Sequence, residues 1–436
     1  MAADDRFHKG QITAEIRKTH KAGRPAEEEA EWMLTKEYIL DKSGGISSEI
    51  ISMRRELHRL AETGGEAKRT GEYIRAKLTE LEIPFEQDHE TNSLLACIDT
   101  GREGPSIGLR ADMDALPMPE EPRNLRFPRT CMSDTPGSTC HACGHDAHMA
   151  MLLGTAMIIV KDQDRFRGKF WLAFEDGEEN GRGWPSMERL LEGKQIDTFW
   201  GIHVWSGLES ATICVQAGPR MAGAIGTDIT FIGRGGHGSR PDQAVNPVFV
   251  AANYLNNLAV AWANRIDANE TVTLGITGIK GGEANNVIPD KASLLGSCRY
   301  FSEKEAEKAV EILRSVAEHT AAMHNATVEF GRNFGILGGA LINDSHFSEI
   351  AETELKELLG AEAVVRSEPW FAGDSFHRYL NRYPGVMAHL GIRNEEKGTG
   401  AAHHNSFFDV DEDVLKTGVA ATLGYIKAVT EDSAAD

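Results

Sequence analysis

The sequence predicts an α/β fold: a layered α/β domain carrying an inserted ferredoxin-like domain of β-α-β-β-α-β order. Three observations lead there. The 436 residues exceed what one ordinary core organises, so two domains are expected. Apolar strand-like runs alternate with helical periodicity up to about residue 220, and again after about 335. Between them the grammar changes to a split β-α-β pattern of roughly 110 residues, an ordinary domain size.

Residues 1–45 are rich in charge, with helical stretches such as 25–40, and read as an extension packed on the domain or on a partner subunit. Residues 47–82 show a helical period through Ile50, Ile51, Leu57, Leu60, Tyr73, Ile74, Leu78 and Leu81. Strand-like runs follow at 94–98 and 106–109. A helix over 148–160 leads to a strand at 169–174, and a helix at 184–191 leads to a strand at 198–204. The insert begins near Met221. Its elements are a strand at 227–232, a helix at 247–263, strands at 271–279 and 292–300, a helix at 303–322 and a strand at 326–330. The chain then returns to a helix at 345–359, a strand at 385–390 and a helix at 412–429.

Hydrophobic residues make up 41% of the chain, which suffices for ordinary cores. The formal net charge of −20 repels phosphates and argues against nucleic acid or an anionic membrane as partner. A local basic pocket can still accept a small anion. The N-terminus, MAADDRFHKG, lacks an apolar segment, so no secretory signal is expected. No apolar run reaches the roughly 18 residues of a membrane span. The six cysteines (97, 131, 140, 143, 214, 298) have no disulfide-like spacing, which fits a reducing cytoplasm.

The densest chemistry is Cys140-His141-Ala142-Cys143-Gly144-His145-Asp146-Ala147-His148. Thiolates and imidazoles are both good ligands for zinc and related ions. No second cysteine pair follows, so an open catalytic site fits better than a closed structural one. Next, Glu178-Glu179 lies just past a strong strand, where sites form in α/β sheets. One carboxylate of such a pair can bind metal while the other takes a proton from water. His203 ends another strand, and His403-His404 sits in a glycine-containing loop; each alone is an ordinary histidine.

These segments resemble the aminoacylase/carboxypeptidase-type metallohydrolase family. The branch is that of the amidohydrolases including hippurate hydrolase, indole-acetyl-amino-acid hydrolases and p-aminobenzoyl-glutamate hydrolase. The matching pieces are Leu109-Arg110-Ala111-Asp112-Met113-Asp114-Ala115-Leu116-Pro117, His141-Ala142-Cys143-Gly144-His145-Asp146, Glu178-Glu179 and Gly201-Ile202-His203. Further matches are Gly236-His237-Gly238-Ser239-Arg240-Pro241 with Asn246-Pro247, Asn285-Asn286-Val287-Ile288-Pro289, and His404.

The resemblance implies that Cys143, His145, Glu179, His203 and His404 are metal ligands for one or two divalent ions, Mn or Zn. Glu178 would be the general base, and Asp114 would orient a ligand imidazole. His237 would stabilise charge developing on the substrate, across the interface of a homodimer or higher homo-oligomer. Residues 46–220 and 335–436 would form the catalytic domain, and 221–334 the lid and dimer contact. Arg299 is read either as a ligand for a substrate carboxylate, helped by Asn285, or as an ordinary strand-end arginine.

The chain departs from the branch at three places. Glu175-Asp176-Gly177 stands where the branch usually has Gln-Pro-Ala, and Ala61-Glu62-Thr63-Gly64-Gly65 replaces a Pro-Glu-Leu-Gly-type segment. Gly373-Asp374-Ser375-Phe376 replaces a segment ending acidic-Asp-Phe. The expected function is metal-dependent hydrolysis of a C–N bond in a small, aromatic or N-acylated, carboxylate-bearing molecule. The alternative is hydrolytic deamination of an aromatic amine, as in the related nitroanthranilate aminohydrolase. It is motivated by the changed residues before Glu178 and by Trp171, Trp184 and Trp205 near the motifs. A non-catalytic binding protein on the same fold is a third reading, disfavoured by the complete set of base and ligands.

Overall fold

The computed structural model describes residues 34–435. Most of the predicted N-terminal extension, residues 1–33, therefore lies outside the described residues. Three helices open the described chain: α1 (Lys36–Gly45), α2 (Ser47–Leu60) and α3 (Lys68–Glu80). They are followed by β1 (Phe85–Gln87), β2 (Leu94–Asp99), β3 (Ser106–Asp112), α4 (His145–Lys161), β4 (Lys169–Glu175), α5 (Gly183–Leu190), β5 (Thr198–Glu209) and β6 (Ile213–Cys214).

With β15 (Gly385–Arg393), these strands build a seven-stranded sheet in the order β1-β2-β4-β3-β5-β15-β6. The central strands β4, β3, β5 and β15 are mutually parallel, and antiparallel strands close both edges. The period of two sorts their side chains. Leu94, Ala96, Phe170, Leu172, Phe174, Trp200, Ile202 and Val204 join one core, while Leu95, Ala173, Phe199 and Met387 join another. The larger core takes in α1 to α4, α8 (Ser345–Leu359) and α10 (Leu415–Ala435), while the smaller takes in α5 and α9 (His377–Leu380). Fourteen of the seventeen residues of α4 are buried, which is why its sequence is apolar nearly all round.

Helix α4 begins at His145, three residues before the apolar period announces it. Gly144 precedes it with φ 86°, and a Cβ there would stand 2.3 Å from Val204 Cγ2. Only glycine makes that turn.

The 221–334 region contains β8 (Gly223–Ile232), β9 (Gly236–His237), α6 (Pro247–Arg265), β10 (Gly275–Lys280), β11 (Val287–Ile288), β12 (Lys291–Tyr300), α7 (Glu303–Met323) and β13 (Thr327–Gly338). Four of its strands form an antiparallel sheet ordered β10-β12-β8-β13. It has its own core, including Ile225, Phe231, Tyr254, Leu294 and Leu313. Asn246 caps α6, with Pro247 at its first position, and Ser302 caps α7. Strand β13 runs to Gly338 rather than ending near Phe330, because a register shift between Phe330 and Phe334 lets the pairing continue. Beside the crossings, β7 (Gly218–Met221) pairs with β14 (Leu341–Asn343). Among the described residues, no helix is long and apolar enough to cross a membrane.

Candidate metal centre

The candidate donors meet beyond the carboxyl ends of β3 and β4 and beside the middle of β5, where His203 is followed by six more strand residues instead of ending the strand. Cys143 and His145 come from the turn into α4. Cys143 Sγ lies 3.5 Å from His203 Nε2. His145 Nε2 lies 3.8 Å from Glu179 Oε1, and His404 Nε2 lies 3.2 Å from the same oxygen. Two triads share the thiol: Cys143, His145 and His203, and Cys143, Glu179 and His404. Within each, the donor atoms lie within 4.8 Å of one another.

These residues fit a cation on the structure's own terms. Both ring nitrogens of His145, and Glu179 Oε1, are buried without a hydrogen bond. Buried polar atoms left unsatisfied cost about 1–3 kcal/mol each; a cation would satisfy His145 Nε2 and Glu179 Oε1, while Nδ1 faces Asp114 Oδ1 at 3.4 Å. Burial, and then the charge of Glu179, pushes the Cys143 thiol well above its ordinary value, so a thiolate here needs positive charge beside it. Burial, and then His148, pushes His203 down to about 4. Its Nδ1 donates to Val204 O at 2.7 Å, which leaves Nε2 as a lone pair aimed at the cluster. His404 holds φ 59°, in the left-handed region, with its main-chain N–H on Ala142 O at 2.9 Å. A non-glycine residue in that region is a local strain of the kind that collects at functional sites.

Asp114 ties the arrangement together. It accepts the N–H groups of Glu178 and Glu179, each at 3.1 Å, and its Oδ1 lies 3.4 Å from His145 Nδ1. The main chain turns into Glu178 through Gly177, at φ 110°. Glu178 Oε1 accepts the Ser375 N–H at 2.9 Å, and an oxygen of Glu178 lies within 4.8 Å of donor atoms of Glu179 and His145. Burial, then Asp374 and Glu179, raises the Glu178 carboxyl well above its ordinary value. Glu178 and Glu179 face a cleft of about 250 Å³ lined also by Ala222, Ala224, Gly338, Asp374 and His377, where the inserted sheet meets the larger one.

Three expected residues lie elsewhere in this chain. His237 is exposed on β9, its Nδ1 accepting the Ser239 N–H at 3.1 Å. Asn285 is exposed just before β11. Arg299 donates to Phe371 O at 2.9 Å and to Ser297 Oγ at 2.5 Å. None of the three lines the cleft.

Sequence reasoning missed several neighbours of the cluster. His148 Nδ1 bonds Asp112 Oδ1 at 2.6 Å, and its Nε2 accepts the Val204 N–H at 2.9 Å. Both nitrogens are engaged, so His148 braces β5 and is not free to ligate. The signal was available: Arg110, Asp112 and Asp114 alternate with Leu109, Ala111 and Met113, so a period of two puts all three charges on one side. His403, beside the expected His404, places Nδ1 4.0 Å from Cys143 Sγ.

The chain belongs to peptidase family M20/M25/M40, whose model matches residues 108–428. It is 33% identical to thermostable carboxypeptidase 1 of Saccharolobus solfataricus over 376 residues, covering 85% of this chain and 93% of that protein. It is 28% identical to the IAA-amino acid hydrolase ILR1-like 4 of Arabidopsis thaliana over 373 residues, covering 85% and 83% of the two. The YXEP protein of Bacillus subtilis, a dinuclear metal-binding peptidase of the M20 family, superposes with a TM-score of 0.74 at 28% identity. That match covers 89% of this chain and 99% of the other. The protein is thus a hydrolase of amide-type C–N bonds that depends on divalent metal and acts on small molecules.

Proposed function

We propose that the protein hydrolyses the amide of a small N-acylated or aryl carboxylate, with Glu178 as general base. The observation that carries this is the different partnering of two adjacent carboxylates that both face the cleft: Glu179 lies against His404 and His145, whereas Glu178 is held by the Ser375 N–H. Cys143, His145, Glu179, His203 and His404 would hold one or two divalent ions, Mn or Zn. Bound there, a divalent ion acidifies water and polarises the electrophile. Glu178 Oε1 is occupied by Ser375, so Oε2 takes the water's proton and returns it to the leaving nitrogen. Asp114 keeps the His145 ring and the 178–179 turn in place.

The insert acts as a ferredoxin-like lid and dimerisation domain on a catalytic domain of residues 46–220 and 335–436. His237 reaches the neighbouring subunit's site and donates to the oxyanion. Arg299 and Asn285 take the substrate carboxylate. The described cysteines are all free, which fits a cytoplasmic setting.

A second reading, deamination of an aromatic amine, is favoured by one feature. Trp205 and Trp370 meet edge to face at 4.8 Å, and the His403 ring lies 5.2 Å from Trp205, so an aromatic wall runs outward from Cys143. One screen separates the readings: aryl amides, N-acyl amino acids and aromatic amines, with Mn, Zn and Co supplied separately. An acid and an amine in equal amounts support hydrolysis. Ammonia from an arylamine, with no acid co-product, supports deamination. No turnover of any class with metal bound overturns both.

A further inference from the structure

Two departures of this chain from its branch meet in space. Glu175 and Ser375 belong to two of the segments at which the chain departs from the branch it resembles. Ser375 Oγ lies 2.9 Å from both carboxylate oxygens of Glu175.

The contact is fully enclosed. Glu175 has no exposed surface, and Arg110, Asp374 and Ser375 are buried. Arg110 donates to Glu175 Oε2 through Nε and Nη2, at 3.0 and 2.8 Å, and through Nη2 to Ser375 Oγ at 2.8 Å. Tyr379 donates to Glu175 at 3.1 Å. Burial acts to lower the Arg110 pKa, but Asp112, Asp374 and Glu175 together raise it well above its usual value. The guanidinium is therefore charged and needs these carboxylates. The same Ser375 whose hydroxyl is clamped from below donates its main-chain N–H to Glu178 Oε1 from above.

We infer that Glu175 is a positioning residue for Glu178: with Arg110 it clamps the Ser375 hydroxyl, and the turn so fixed holds Glu178 by the Ser375 N–H. This rests on the reading of Glu178 as general base. A merely structural carboxylate would stabilise the fold without setting that one bond. The clamp aims a single oxygen of Glu178 into the cleft.

The test is a charge exchange. Glu175→Gln, Ser375→Ala and the double variant Glu175→Gln with Ser375→Asp are compared with the unaltered protein. The readouts are kcat and KM per metal-loaded subunit, and the Ser375 N to Glu178 Oε1 distance in crystal structures. Displacing a reacting group by about 1 Å costs up to roughly 100-fold, so Glu175→Gln is expected to lower kcat roughly 10- to 100-fold with KM within about two-fold. Ser375→Ala keeps the N–H but frees the turn, and is expected to lose less. The double variant moves the carboxylate to the other side of the same contact and should recover most of kcat and the original distance. Unchanged kcat and distance in the single variants overturn the inference, as does a double variant no better than Glu175→Gln. Should Glu175→Gln not fold, Ser375→Ala decides: an unmoved Glu178 is a negative result. If the unaltered protein turns over no substrate, the function reading fails, while the distances still decide this inference.

Discussion

His404 Nε2 lies 3.2 Å from Glu179 Oε1, while the neighbouring carboxylate, Glu178, accepts the Ser375 N–H at 2.9 Å. On the proposed reading Glu178 is the base and Glu179 a ligand, so their amides should fail differently. Glu178→Gln is expected to keep metal and fold but lose about 10²–10⁴-fold in turnover, the usual share of general base catalysis. Glu179→Gln should instead lose metal affinity. Metal analysis beside steady-state kinetics checks this, and swapped phenotypes would reverse the assignment.

Metal removal should abolish activity, and readdition of Mn or Zn should restore it. The buried, unbonded His145 Nε2 and Glu179 Oε1 also predict a stability cost for the empty protein. A ligand at 100 times its Kd stabilises by about 2.7 kcal/mol. Thermal melts with and without chelator measure this. Undiminished turnover in protein verified to be metal-free would end the metal mechanism.

His58 predicts a pH-dependent brace beneath the metal loop. Its Nδ1 lies 2.7 Å from Asp146 Oδ2 and its Nε2 2.6 Å from Glu120 Oε1. Burial and Arg54 lower its pKa, but the bonds to Asp146 and Glu120 outweigh them and raise it above 6.5. A raised folded value means the stabilisation is full below about 6.5, the ordinary histidine value, and fades as pH rises through the folded pKa. Charge-assisted hydrogen bonds are worth about 1.5–3 kcal/mol each. The Tm deficit of His58→Gln should therefore be largest near pH 6 and shrink toward alkaline pH. A deficit growing with pH would mean that His58 is neutral in the fold.

The parts legible in the sequence were those written as local period or as dense motif. The strands at 94, 106, 169, 198 and 385 and the helices at 247, 303 and 345 all form at or within a few residues of their expected starts. Cys143, Glu179 and His404 come from turns and His145 from the first position of α4, near the strand ends where an α/β sheet builds its sites, while His203 reaches them from inside β5. What stayed hidden was pairwise and long-range. Nothing near Ser375 says that its N–H will meet Glu178, and nothing near His148 says that Asp112 and Val204 will occupy both its nitrogens. The start of α4 was hidden too, since His145 and Asp146 carry no apolar period, and the left-handed Gly144 marks it only in three dimensions.

The remaining prediction concerns His237. It sits on the two-residue strand β9, paired with β11 and exposed, and it lies outside the cleft of its own chain. Ser239 occupies its Nδ1, so Nε2 is the free nitrogen. A residue so placed serves catalysis only by reaching a site from outside, and a second subunit supplies that geometry. His237→Ala should lower kcat by roughly 10²–10³, the effect of losing one oxyanion donor, with metal content unchanged. Mixing His237→Ala subunits with Glu178→Gln subunits decides between the two directions of reach. If His237 serves its partner's site, a mixed dimer holds one site lacking both groups and one intact site, and activity reappears. If it serves its own, every site lacks one group and the mixture stays inactive. Subunit exchange, followed separately by native mass spectrometry, makes the inactive outcome decisive.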